Sequence, residues 1–158
     1  MNILDYIKLD AEKTAKTVAC LQQLLADYQV FYANLRGYHW NVKGSGFFAL
    51  HGKLEEWYDD AADKVDEIAE RILTLGGIPE NRPDEYLKKA GIPSAGNVSS
   101  SDTVVTNVLN DLAALIAQER ELKILADQAG DEGTSAMLSD YIRSQEKTAW
   151  MLTAFLSK

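Results

Sequence analysis

Cysteine is nearly absent. Cys20 stands alone among 158 residues, so neither an intrachain disulfide nor a thiolate metal cluster is open to the chain. It falls in an apolar helical stretch and reads as a small packed residue. No apolar run approaches the roughly 18 residues that a membrane-spanning helix needs. The start, Met1-Asn2-Ile3-Leu4-Asp5-Tyr6, lacks the basic-then-apolar pattern of a secretory signal, and a reducing cytoplasm is the expected setting. Basic charge is also short. Sixteen Lys and Arg face 24 Asp and Glu, a net charge of -8 with a pI near 4.7. That balance is wrong for a surface that grips nucleic acid by neutralising phosphates and suits one that attracts cations. Only two histidines occur, His39 and His51, and the three prolines are Pro79, Pro83 and Pro93.

What is present is helix. With 46% hydrophobic and 25% charged residues, the composition is that of an ordinary globular chain, long enough to bury a real core in one domain over residues 1–158. Apolar residues recur in steps of three and four at Val18, Leu21, Leu25, Tyr28, Tyr32 and Leu35, which predicts a first long helix from Asp10, its cap, to Tyr38. Gly37 is expected to loosen its end. Asn41 to Gly46 reads as a loop with glycines at awkward backbone angles. A second helix is predicted from Phe47 to Leu75, stopped by Gly76-Gly77 and Pro79. Its stripe is Leu50, Leu54, Trp57, Ala61, Val65, Ile68, Ile72 and Leu75. Asn81 to Ser101 is a long irregular crossover with room for a short helix over Asp84 to Ala90. A third helix follows from Ser101 or Asp102 to Gln128, with Val105, Val108, Leu112, Leu115, Leu122 and Ala126 inward. After a turn at Gly130 to Gly133, a fourth runs from Thr134 to Leu156 with Leu138, Tyr141, Leu152 and Phe155 inward. Two helical pairs joined by a long crossover is the topology of the all-α, ferritin-like four-helix bundle. Other bundles share it, so topology alone assigns no function.

The second helix carries the chemistry. With His51 at zero and about 100° per residue, Glu55 lies at about 40°, Asp66 at about 60° and Glu70 at about 100°, while the core stripe occupies roughly -120° to -40°. The histidine and three carboxylates therefore share a face that is not the core face. A metal site inside the bundle would need inward ligands, usually with a Glu-x-x-His pair. Neither histidine has one, since Arg36 and Phe48 stand three residues before them. Nor can one metal bridge His51 and Asp66, which lie roughly 22 Å apart along the helix. The positions do have a mirror property. His51 and Glu70 are equidistant from a point between Asp60 and Ala61, and so are Glu55 and Asp66. An antiparallel second copy of this helix, related by a two-fold axis at that point, sets His51 beside Glu70 and Glu55 beside Asp66 at both ends, as an isologous interface requires. Phe48 and Leu73 share the relation and could close each site with an apolar lid. Ala61 and Ala62 are small enough at the axis for close approach. His39, just before the turn into the second helix, could join His51. Carboxylates with imidazoles suit Fe(II), Mn(II) or Zn(II). Taken singly, each carboxylate reads as a solvated helix-face charge and each histidine as a structural residue. Glu55 could pair with a surface lysine, and Asp63 and Glu67 are expected to do so.

The runs Tyr38-His39-Trp40-Asn41-Val42-Lys43-Gly44, Phe47 to His51, Asp66-Glu67-Ile68-Ala69-Glu70-Arg71 and Leu75-Gly76-Gly77 resemble the Dps family of miniferritins. The likeness extends from about Asp10 to Phe155 and includes Trp150-Met151-Leu152. It implies a hollow shell of twelve subunits that oxidises Fe(II), often with hydrogen peroxide, and stores a ferric mineral against oxidative stress. It also implies that His39, His51, Asp66 and Glu70 are ferroxidase ligands lying between subunits. Glu55 stands where the family commonly has Asp, which keeps the charge and lengthens the arm. Zinc would compete for such a site. Trp40 resembles the family's aromatic neighbour of the site, a trap for stray oxidising equivalents, with plain packing as the alternative reading. Among Asp127, Asp131, Glu132 and Asp140, the resemblance points to Asp131 and Asp140 for an acidic iron-entry pore; helix-terminus carboxylates are the alternative. Many members bind DNA through a lysine-rich extension. Here the first 13 residues hold only Lys8 and Lys13 among basic residues, against Asp5, Asp10 and Glu12, and no basic tail follows Leu156. Chromosome compaction with secondary iron chemistry is therefore the alternative function.

Overall fold

A computed structural model describes residues 2–157. It begins with a short helix that the apolar pattern does not announce, α1 (Ile3–Ile7), where the Asn2 side chain caps the Leu4 N–H at 3.1 Å. The first long helix, α2 (Ala11–Asn41), starts at the expected cap, Asp10, whose carboxylate accepts from the Lys13 N–H. It does not loosen at Gly37. The helix continues to Asn41 because Tyr38 and His39 are buried, the Asn41 side chain donates to the Gly37 carbonyl at 2.7 Å, and the Val42 N–H returns to the Tyr38 carbonyl. Tertiary anchoring here outweighs the ~1 kcal/mol that a mid-helix glycine costs.

The second long helix, α3 (Phe47–Thr74), folds back on α2. Leu50, Leu54, Ala61, Ile68, Ile72 and Leu75 are buried, with Trp57 and Val65 packed against them. Ala61 belongs to this core and is 1% exposed, so it cannot also line an outer two-fold axis. At about -80° it points with the stripe, and only Ala62, at about 20°, lies toward the carboxylate face. The crossover carries α4 (Pro83–Lys89), which opens on a proline as the missing N–H allows, and leads to α5 (Ser101–Ala129). Gly130, at φ 69°, ends α5 in the left-handed conformation, and α6 (Glu132–Leu156) follows. α5 packs on α6 and on α2. Its six expected inward residues are all buried. On α6, Leu138, Tyr141 and Leu152 are buried, but Phe155 is 41% exposed and lies over the α2–α3 loop beside Gly46.

Buried polar residues of α2 hold the crossover down. Asp27 accepts from the Gly91 and Ile92 N–H groups at 2.6 and 2.9 Å. Asn34 accepts from the Ala95 N–H and donates to the Pro93 carbonyl. The Lys43 N–H reaches the Ser99 carbonyl at 2.9 Å, tying the loop between α2 and α3 to the start of α5. A stretch without its own ladder must satisfy its backbone groups elsewhere, and here the side chains of one helix supply that. Cys20 is half-buried against the core, and burial, ahead of nearby Glu121, raises its thiol pKa.

Candidate metal centre

The bundle interior is polar at one level, and each long helix contributes. Tyr28 of α2 donates to Glu119 of α5 at 2.7 Å, and Gln145 of α6 donates to the same oxygen at 2.8 Å. From α3, Lys64 is buried, ion-paired to Asp60, with its ammonium 5.1 Å from the Tyr141 ring centre. Burial pushes the Glu119 carboxyl up to about 7, against the lowering effect of its hydrogen bonds and of Lys64. The place where an intrachain metal site would lie is thus filled by an ammonium, an amide, a phenol and one carboxyl. Glu67, expected to meet a lysine, instead accepts from the Tyr141 hydroxyl at 2.7 Å.

The histidines come together outside this core. His39, near the end of α2, points its Nδ1 at the His51 carbonyl at 2.8 Å. His51, in the first turn of α3, points its Nδ1 at the His39 carbonyl at 2.9 Å. A carbonyl oxygen only accepts, so each Nδ1 carries a proton, which leaves Nε2 as the nitrogen through which either ring would bind a metal. The rings stack with centres 3.8 Å apart and 18° between planes. Phe47 stacks on His51 at 4.9 Å, and Tyr58 meets His39 edge-on at 5.4 Å. Four rings wedged in sequence fix both imidazoles, and the two carbonyls fix both tautomers. Outer hydrogen bonds of this kind orient metal-binding histidines and raise their basicity. The reciprocal bonds also clamp the end of α2 to the start of α3, which is why the helix runs on past Gly37.

The carboxylates lie where the helical angles put them. Glu55, Asp66 and Glu70 are all exposed on α3. The ion pairs of this helix are Lys53–Glu56, Lys64–Asp60 and Arg71–Asp131, and none takes up Glu55, Asp66 or Glu70 among the described residues. Among those residues no group of three or more His, Cys, Asp or Glu side chains converges closely enough to hold a metal ion. The chain thus brings His39 and His51 together with Glu55 one turn on, and leaves Asp66 and Glu70 toward the other end of the helix. Phe48 is 89% exposed and Leu73 54% exposed beside these two ends.

The two residues expected at an entry pore differ in environment. Asp131 is buried and is the N-cap of α6, where it accepts from the Thr134 N–H and hydroxyl and pairs with Arg71. Asp140 is exposed and paired with Arg143 at 2.7 Å. Trp40 is 68% exposed, and its ring centre lies 5.4 Å from the Arg36 guanidinium.

Phe47 and Tyr58 were not picked out by the sequence pattern. Tyr58 follows His51 by seven residues, at about -20°, between the core stripe and the carboxylate face. Partial burial, with Glu55 and Asp59 nearby, pushes its phenol above the ordinary range.

A model of the ferritin-like domain matches residues 18–158. A Porphyromonas gingivalis protein named DNA protection during starvation protein is 45% identical over 156 residues, covering 99% of this chain and 98% of that one. Among solved structures, a Dps protein from Vibrio cholerae, described as a member of a broad superfamily of ferritin-like diiron-carboxylate proteins, superposes with a TM-score of 0.92 at 47% identity, covering 94% of each chain. Dps from Listeria innocua, in crystals soaked with zinc, has a TM-score of 0.86 at 31% identity, covering 90% of this chain and 97% of its own.

Proposed function

The chain belongs to the ferritin-like family, in its Dps branch, and from that premise we propose that it is a ferroxidase and iron store. Fe(II) is its substrate, oxidised by hydrogen peroxide or O2 at sites shared between two subunits. The ferric product is held within a hollow shell of twelve, which protects the cell by consuming iron and peroxide together. The observation that carries this reading is the histidine pair. Two imidazoles of fixed tautomer present Nε2 lone pairs, in a chain whose described residues complete no metal site alone. Each site then takes His39, His51 and Glu55 from one subunit and Asp66 and Glu70 from its two-fold partner. Exposed Phe48 and Leu73 supply the apolar rim that such a contact buries.

The chemistry follows from the donors. Imidazole binds Fe(II) well, and anionic oxygen prefers the harder Fe(III). A site with three carboxylates therefore stabilises the product of the oxidation more than its reactant and draws the electron transfer forward. Zinc suits the same ligands and is expected to bind competitively. Of the pore residues, Asp140 fits the entry role better than Asp131, whose carboxylate is already engaged by Arg71 and Thr134. The net charge of -8 favours attraction of Fe(II) over compaction of DNA. A reducing cytoplasm, where Cys20 stays a thiol, suits the role.

Complementation tests the shared site. Neither the His51→Ala nor the Glu70→Ala protein should oxidise Fe(II) at the native rate. Dissociated, mixed and reassembled, the two should recover activity, because a mixed dimer keeps one intact site and sacrifices the other. Absence of recovery in correctly assembled mixed particles would place all the ligands within one chain and sink the reading.

A further inference from the structure

Two further carboxylates stand on α3 away from the metal-type ligands. On the scale that puts His51 at zero, Glu56 falls at about 140° and Asp60 at about 180°, across the core stripe from Glu55, Asp66 and Glu70. Both are exposed, and both line a cavity of about 230 Å3 that also takes residues from α2, α5 and α6. Its walls are largely apolar, with Phe31 and Leu112 buried and Trp57 half-buried. A two-fold contact centred on the metal-type ligands leaves this side of α3 open, about 110° round the helix.

The charged and unpaired groups of the cavity are acceptors. Gln145 is buried, and its Nε2 donates to Tyr28 and Glu119 at 2.5 and 2.8 Å. Its carbonyl Oε1 is buried with no donor among the described residues, as is Oε2 of Glu119. Buried acceptors in folded proteins are almost always paired, so an orphan marks a missing donor. Nearer solvent, Glu56 gives Oε2 to Lys53 and Asp60 gives Oδ2 to Lys64, and the second oxygen of each carboxylate has no ion-pair partner among the described residues. Lys64 does not line the cavity, its ammonium being held against the Tyr141 ring, 5.1 Å from its centre. An anion would be repelled by these groups, and a metal ion lacks three converging ligands among the described residues.

We propose that this cavity binds a short aliphatic diamine. One ammonium donates to Gln145 Oε1 and Asp60, the methylene chain lies along Phe31 and Leu112, and the second ammonium sits at Glu56 against the Trp57 ring, which attracts a cation. Concave sites between bundle helices, mostly apolar with a few polar groups at fixed places, hold ligands of this shape. The space equals that of about seven waters in the liquid, and a short diamine has a similar number of non-hydrogen atoms. The site shares no residue with the proposed metal centre, so the two readings stand or fall separately.

Calorimetric titration of the assembled, metal-free protein with putrescine tests this, at moderate salt to screen diffuse attraction. Wild type should show one saturable site per subunit. Butylamine, which lacks one ammonium, should bind about fivefold more weakly. Succinate, a short chain of opposite charge, should give no binding heat. Glu56→Gln, at an exposed position that folding does not depend on, should weaken putrescine by about fivefold. Gln145→Leu, checked for helicity and assembly, should weaken it by more than about tenfold. Glu12→Gln removes the same charge from the exposed first turn of α2 and should bind as wild type. Absence of saturable binding in wild type would overturn the proposal. Equal affinity in Glu56→Gln and Glu12→Gln would reduce the effect to net charge and overturn it too. Crystals soaked in saturating putrescine that show only water between α3 and α6 would do the same.

Discussion

The two faces of α3 hold titratable groups in opposite ways. On the inner face, Glu119 accepts from Tyr28 and Gln145, and buried Lys64, paired with Asp60, acts on it through its charge. On the outer face, His51 is held rigidly through its Nδ1, while Glu55, Asp66 and Glu70 stand exposed. Burial explains the contrast. In the interior an unpaired charge is costly, so an ammonium, an amide and phenols surround the one carboxyl. At the surface water tolerates three carboxylates on one face. A surface of this kind becomes a metal pocket only when something covers it. In the proposal above, that cover is a second copy of the same helix.

The contrast breaks first, and most, at the histidines. His51→Ala removes a nitrogen of the proposed metal site and also the donor to the His39 carbonyl. The rate of Fe(II) oxidation by assembled particles, followed by ferric absorbance, is expected to fall by more than about 100-fold, beyond what loss of an outer hydrogen-bond partner does to a metal site. A near-native rate would return the outer face to the status of a solvated helix surface.

The inner face should answer to pH instead. Glu119 is held at about 7 when folded, against an ordinary 4.5. Between those values the folded chain keeps a proton that the unfolded chain has lost. Its contribution to stability is therefore largest at acid pH and is lost as pH rises through about 7, by about 3 kcal/mol in all. Asp111, pushed up to about 6 chiefly by burial, adds in the same direction. Denaturant unfolding of Glu119→Gln across this range should show a flatter slope than wild type. An unchanged slope would mean that Glu119 is ionised and better solvated than its burial implies.

A smaller effect is expected where α2 holds the crossover. Asp27→Ala leaves the Gly91 and Ile92 N–H groups without their acceptor, which should cost about 2 kcal/mol. Hydrogen exchange should quicken at those two amides, with the histidine region unaffected. The smallest effect belongs to the exposed Lys53–Glu56 pair on α3, at 51% and 64% side-chain exposure. Lys53→Met should shift stability by less than about 0.5 kcal/mol. A larger change would show that the outer face is already buried against a neighbour.

Most of the helical scaffold was legible because it rests on short-range signals. The Asp10 cap, Gly130 and the apolar steps of three and four set the long helices to within a few residues, although the cap of α5 is Ser100 and not Ser101 or Asp102. The candidate site was legible in part, since helical periodicity is enough to set His51, Glu55, Asp66 and Glu70 on one face. What periodicity missed came from contacts between distant residues. The extension of α2 past Gly37 depends on Nδ1 of His51, which donates to the carbonyl of His39, 12 residues before it. The burial of Asp131 depends on Arg71, 60 residues away. Phe155 faces inward by spacing, yet the α2–α3 loop it meets leaves it half-exposed.

The sequence by itself determined that this is a bundle of long helices, that its one cysteine forms neither an intrachain disulfide nor a thiolate cluster, and that His51, Glu55, Asp66 and Glu70 share a face apart from the core. Those conclusions rest on composition and on the fixed angle per helical residue, which hold before any packing is known. Only the tertiary structure decided that the two imidazoles stack, that each donates Nδ1 to the other's carbonyl, and that Tyr58 lies against them. It likewise decided that Lys64 and Glu119 are both buried in the bundle. These features depend on how α2 and α3 pair and on which side chains from other helices meet them, and local periodicity carries no record of that.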